Sequence, residues 1–241
     1  MPHVEAAPRA SILIESMRDI GYSLETALAD VIDNSITAGA RTIQVHVDSI
    51  GADVKIAIVD DGSGMGAAEL LESMRLGSRN PREKRPIRDL GRFGLGLKTA
   101  SFSQCRRLTV VARQSGVTSA ATWDLDYVAR HDKWALLTRS DVNAIPFIEH
   151  LGADGALVVW EKLDRAVEQE GTESGRKHFV RRLDDARQHL ELVFHRYLAG
   201  ETGLPRVKIL VNDLPLKPFD PFNSSHTATM RGQTEQVRVG N

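Results

Sequence analysis

Residues 54–66, VKIAIVDDGSGMG, decide the fold. Val54, Ile56 and Ile58 lead a β-branched run that predicts a strand over Val54–Val59. The strand enters Asp60, Asp61 and Gly62 directly, with Gly64 and Gly66 close behind. An Asp-Gly pair after a strand is also what a hairpin turn uses. Here the residues that follow have helical spacing, and a helix is predicted over Ala67–Leu76. Bare backbone between a strand and a helix has a second use. Glycines let the main chain approach a flat ligand, and a carboxylate at the strand end can accept a hydrogen bond from an exocyclic amine. Asp60, Gly62, Gly64 and Met65 are therefore candidate ligand-binding residues.

Upstream, SLETALADVIDNSITAG (23–39) predicts a helix over Leu24–Thr37, capped by Ser23 and stopped by Gly39. Leu24, Ala27, Leu28, Val31 and Ser35 share one face. Asp30, Asp33 and Asn34 sit in the interior although such residues are poor helix formers. Asp30 and Asn34 are four apart and stand one turn from each other. An amide oxygen can ligate Mg2+, and a neighbouring carboxylate can orient or deprotonate a water. A plain solvated face would also carry such residues. A strand is predicted over Thr42–Val47, and a short helix over Ala10–Arg18.

Downstream, residues 77–91 combine glycine, two prolines and many charges in one long loop, a feature that is uncommon inside a domain and often functional. GRFGLGLKTASFSQ (91–104) then places Gly91, Gly94 and Gly96 just before a helix. Bare amides at a helix start attract phosphate, and Lys98 and Thr99 add a charge and a hydroxyl. The run is not a P-loop, because Leu97 separates Gly96 from Lys98. A glycine-rich turn without a ligand is the plain alternative. Further strands are predicted over Arg107–Arg113, Ser119–Leu125, Trp134–Thr138, Ala156–Trp160 and Val207–Val211. An amphipathic helix is predicted over Lys177–Leu198, ending at Gly200.

Composition narrows the function classes. Lys+Arg 31 against Asp+Glu 32 leaves no net charge to grip nucleic acid as a whole. DNA is thus an unsupported partner, and Arg106 and Arg107 are expected to be solvated. Cys105 is the single cysteine, which excludes an internal disulfide and points to a reducing compartment. It is expected to be buried and inert, and Trp123, Trp134 and Trp160 to be core. No apolar run is long enough for a membrane span, so a cytoplasmic protein is expected.

The order of the three motifs resembles the GHKL ATPase superfamily of gyrase, heat-shock chaperones, histidine kinases and MutL. The layout of the third motif is most similar to MORC-type and bacterial MORC-like members. The resemblance covers roughly Ser11 to Asp213. It implies an α/β (α+β) two-layer sandwich of the Bergerat type, with helices on one face of a mixed, mostly antiparallel sheet. It implies an ATPase with ATP and Mg2+ as cofactors. Asp60 would read the adenine amine beside Gly62, Gly64 and Met65, and Asn34 would ligate Mg2+. Gly91, Phe93, Gly94, Gly96, Leu97, Lys98 and Thr99 would form the phosphate loop and helix start. Residues 77–90 would form an ATP lid, whose closure drives a change of shape or homodimerisation.

Two positions depart from the family pattern. Asp30 stands where a Glu general base is usual and is shorter by about 1.5 Å. Ala156 follows Gly155 where a Thr hydroxyl usually helps hold adenine. Slow hydrolysis is therefore expected, and a nucleotide-gated binding or dimerisation module with little turnover is the alternative. No phosphoacceptor helix with a His-Glu pair supports a histidine kinase. Residues 1–216 are read as the ATP-binding domain. Residues 217–241 are read as a linker or the start of a following domain that, in relatives, supplies a lysine to the γ-phosphate.

Overall fold

The computed structural model describes residues 3, 6–19, 21–49, 53–77, 96–165, 172–224, 226–230 and 232. Helices α1 (Ala10–Arg18) and α2 (Leu24–Thr37) precede strands β1 (Thr42–Asp48) and β2 (Lys55–Asp60). Next come α3 (Ala67–Met74), α4 (Gly96–Gln104), β3 (Arg107–Gln114), β4 (Val117–Asp124), α5 (Leu125–His131), β5 (Leu137–Thr138) and β6 (Gly155–Glu161). The chain continues through α6 (Glu173–Val193), α7 (His195–Ala199), β7 (Lys208–Val211) and β8 (Leu214–Pro215). The sheet order is β5-β4-β3-β6-β2-β1-β7-β8. Only β1 and β7 pair in parallel among the described strands. The mixed, mostly antiparallel sheet expected from the sequence is the one observed.

Strand side chains alternate between faces. Ile56 and Ile58 on β2, with Val158 and Trp160 on β6, join one core with Leu28 and Ile32 of α2 and Phe102 of α4. Ala57, Val59, Leu157 and Val159 face the other way, onto Ile145 and Leu151. The second face is thus covered by the β5–β6 connection and a 3₁₀ turn at Ile148–His150 rather than by α-helices. The same alternation carries Asp60 to the helix side, in line with Ile56 and Ile58.

Four local expectations are corrected. Helix α5 follows β4 because the Asp124 carboxylate accepts from the amides of Asp126 and Tyr127 and so ends the strand. Of the strand expected over Trp134–Thr138 only Leu137–Thr138 pairs, and Trp134 is 40% exposed, edge-on to Trp123. The long C-terminal helix starts four residues earlier, at Glu173, and breaks at Phe194, whose φ is −99° and ψ 13°. Arg106 and Arg107 are only partly exposed and are held in ion pairs rather than lying free on the surface. Arg106 pairs with Glu15 at 2.8 Å and Asp126 at 2.7 Å, and Arg107 with Asp124 at 2.8 Å.

That ion-pair cluster has a consequence for acid stability. Burial alone would raise the carboxyls of Glu15, Asp124 and Asp126, yet hydrogen bonds and charge from Arg106, Arg107 and Lys162 hold all three below their ordinary range of 3.8 to 4.5. A carboxyl depressed by folding stabilises the fold above its unfolded value and loses that contribution as the pH falls through the folded one. The cluster's contribution to the Tm should therefore be constant down to about pH 4.5 and decline below it. Arg106→Gln should lower the neutral-pH Tm and flatten the acid decline. An unchanged acid limb in Arg106→Gln would contradict this account.

Cys105 is fully buried, and burial pushes its thiol well up, away from reactivity. Among the described residues no helix is long and apolar enough to cross a membrane.

Candidate functional site

Asp60 ends β2 under α2 and is 7% exposed. Its Oδ1 accepts from the amides of Gly62 at 2.9 Å and Ala156 at 3.2 Å, and its Oδ2 accepts from the Ser35 hydroxyl at 2.8 Å. Burial pushes this carboxyl up, and the three hydrogen bonds oppose that shift. A carboxylate has about four acceptor positions, so three partners leave one, on Oδ2. Neighbouring Asp61 does different work: its Oδ1 accepts from Arg41 and Thr42 amides and ties the α2–β1 turn.

Ser35 was legible in the sequence only as part of the packed face of α2. In the structure it supplies the hydroxyl beside Asp60. Ala156 lacks a hydroxyl, but its main-chain amide reaches the carboxylate, since β6 pairs Asp60 with Ala156.

The glycines serve the protein as much as any ligand. A Cβ on Gly64 would lie 2.0 Å from the Arg113 carbonyl, and the residue has φ +63°. Its bare side faces the end of β3, not open space for a flat ligand. A Cβ on Gly62 would come within 2.9 Å of Asp60 Oδ1, so glycine there leaves room for the carboxylate. Met65 is half-buried against the main core.

At the other end of the polar strip, the exposed Asn34 donates from Nδ2 to the Asp30 carbonyl at 2.8 Å. A carbonyl only accepts, so this bond fixes which end of the amide is nitrogen and leaves Oδ1 as the acceptor end. A hard oxygen ligand of this kind fits Mg2+, which takes one or two protein oxygens and completes its shell with phosphate and water. No cluster of three or more His, Cys, Asp or Glu suited to a metal occurs among the described residues.

Asp30 projects from the same helix toward the start of α4. Its Oδ2 would lie 3.7 Å from a Cβ on Gly96 and accepts from the Tyr22 hydroxyl at 2.8 Å. Asp33 is half-buried, and burial followed by the charge of Asp30 raises its carboxyl. Thr99 donates to the Gly96 carbonyl at 3.3 Å and also interacts with the Tyr22 phenol. Leu97 packs on the core. Lys98 is 1% exposed, and its Nζ donates to the Ser73 carbonyl at 2.6 Å, at the end of α3. Residues two apart on a helix point about 200° apart, so Lys98 leaves α4 on the side away from Asp30. Gly91, Phe93, Gly94 and all of the expected lid except Gly77 lie outside the described residues.

One helix, α2, thus joins a buried acid at a strand end to an exposed amide oxygen and a carboxylate at a glycine-led helix start. Two comparisons bear on this arrangement. Over 95 residues, 39% of this chain, it is 30% identical to "ATPase morc-1" of Caenorhabditis elegans, and that stretch spans 11% of the worm protein. Residues 22–150, which hold α2, Asp60 and the start of α4, match the family described as "Histidine kinase-, DNA gyrase B-, and HSP90-like ATPase". The chain therefore belongs to the histidine kinase-, DNA gyrase B- and HSP90-like ATPase family.

Proposed function

We propose that this domain binds ATP with Mg2+ and hydrolyses it slowly, coupling the nucleotide to lid closure and to a change of shape or dimerisation. The observation that carries the proposal is Asp60, a buried carboxylate with one acceptor position left on the helix side of the sheet. That position suits the exocyclic amine of adenine, while Gly62 and Met65 flank the base. Gly96 and the loop before it would receive the phosphates, and Asn34 Oδ1 would hold the ion. Bound Mg2+ supplies charge neutralisation across the phosphates. Lys98 would reach a phosphate only by leaving the Ser73 carbonyl. The unit proposed to do this is residues 1–216. Leu216 is the last buried apolar residue described, whereas Phe219, Phe222 and Met230 are exposed.

In the hydrolytic step a water oxygen bonds to the γ-phosphorus while the β–γ bridging bond breaks and its electron pair leaves with ADP. The water proton passes to Asp30. Most of the catalysis is positioning and charge balance. A nucleotide-gated module without turnover is the second reading, favoured by the short reach of Asp30.

Isothermal titration calorimetry tests the binding claim. ATP with Mg2+ should bind, and GTP, which presents an oxygen where adenine has its amine, should bind more weakly. Asp60→Asn keeps the size but points an NH2 at the adenine amine. Losing a hydrogen bond to a charged group costs about 1.5–3 kcal/mol, or roughly 10–100-fold in Kd. Equal affinity for ATP and GTP, or unchanged ATP affinity in Asp60→Asn with its fold intact, would refute the assignment.

A further inference from the structure

Tyr22 belongs to none of the three sequence motifs, yet it is held at three points. Its carbonyl accepts from Gln104 Nε2 at 3.0 Å, and its hydroxyl donates to Asp30 Oδ2 at 2.8 Å and interacts with Thr99. Gln104, itself 1% exposed, and Thr99 both belong to α4. Five residues of helix rise about 7.5 Å, roughly the span of a tyrosine from carbonyl to hydroxyl. The side chain therefore lies along α4, and its hydroxyl reaches the end where Gly96 meets Asp30.

We propose that Tyr22 is a positioning residue for Asp30, holding Oδ2 so that Oδ1 is the oxygen turned toward the attacking water. This rests on Asp30 being the proton acceptor, as assigned above. An aspartate has two side-chain torsions, and an unheld carboxylate samples several orientations. A shorter acid has less reach to spare, and a misplacement near 1 Å costs on the order of 100-fold. The phenol ties Asp30 to the helix whose first residues face the phosphates, so acid and phosphate site move together. Burial followed by the Asp30 hydrogen bond raises the phenol's own titration, which keeps it a donor at neutral pH.

The test is a double-mutant cycle on the full chain, combining Tyr22→Phe with Asp30→Asn. ATP affinity is read by calorimetry, kcat and KM by phosphate release, and folding by Tm. Tyr22→Phe should lower kcat about 10-fold or more, with Kd for ATP and Tm close to wild type. In the Asp30→Asn background the same change should have no further effect on kcat, because no proton acceptor remains to be aimed. An equal loss in both backgrounds, or a loss that tracks Tm, assigns Tyr22 to structure alone and overturns the proposal. Wild type that binds ATP without releasing phosphate overturns it while leaving nucleotide binding intact. Wild type that shows no ATP binding overturns both.

Discussion

Asp30→Asn is expected to cut phosphate release by about 10²–10⁴-fold, the usual worth of a general base, with ATP affinity nearly unchanged. The substitution is a close test because asparagine keeps the size and can still accept from Tyr22, whose hydroxyl stands 2.8 Å from Oδ2. The packing around Gly96 is retained, and only the ability to take a proton is lost. Asp30 lies on the half-exposed flank of α2, away from the apolar face of Leu24, Ala27 and Leu28, so the Tm should hardly move. Phosphate release under saturating ATP and Mg2+ is the measurement. Turnover within a few fold of wild type would show that Asp30 is not the proton acceptor.

Gly155→Ala is expected to have the largest effect on the fold. Gly155 opens β6 with φ +133°, a conformation that side-chain-bearing residues rarely adopt, and its Cβ would lie 2.0 Å from the Asp60 carbonyl. Strain of this kind and forced overpacking each cost about 1–3 kcal/mol, against a total stability of about 5–15 kcal/mol for a domain. The nearest atom is backbone of the adjacent strand, so relief requires β2 and β6 to separate where Asp60 pairs with Ala156. The amide of Ala156 would then leave Asp60, and ATP binding should fail together with the Tm. Gly152→Ala is the control, because its Cβ would meet only the Asp154 carbonyl at an ordinary 3.6 Å. A Gly155→Ala protein with the Tm of Gly152→Ala would contradict the clash.

Much of the layout is legible in the sequence. The spacing of Leu24, Ala27, Leu28 and Val31 marked the buried face of α2, and the step from strand to glycine turn to helix marked the end of β2. Both are local signals carried by neighbouring residues. Helix α5 is not legible in the sequence because Leu125 continues the apolar rhythm of β4, and the stop signal is one carboxylate, Asp124, whose capping role emerges only once the chain has turned. Residue type places Trp134 in the core, but it lies just before the edge strand β5, where Trp123 covers it only in part.

The site divides in the same way. Asp30, Asn34, Asp60 and the glycines stood out because their residue types are out of place in a helix interior or at a strand end. Ser35 and Tyr22 did not, since a serine on a packed face and a tyrosine before a helix cap are ordinary. Their meaning lies in partners 25 and 8 residues away. The demand for glycine at 64 and 155 comes likewise from carbonyls on other strands, Arg113 and Asp60.

The sequence by itself determined most of the helices and strands, α2, β1, β2 and α3 among them, because hydrophobic period and capping act over a few residues. It also singled out Asp30, Asn34, Asp60 and the glycines as the candidates for the proposed nucleotide and ion. Tertiary structure alone decided that Ser35 stands beside the buried acid. It decided that Lys98 rests on α3 and that Tyr22 rests on Asp30. Hydrogen-bond geometry between distant segments depends on how layers pack, and packing is set by the whole core at once.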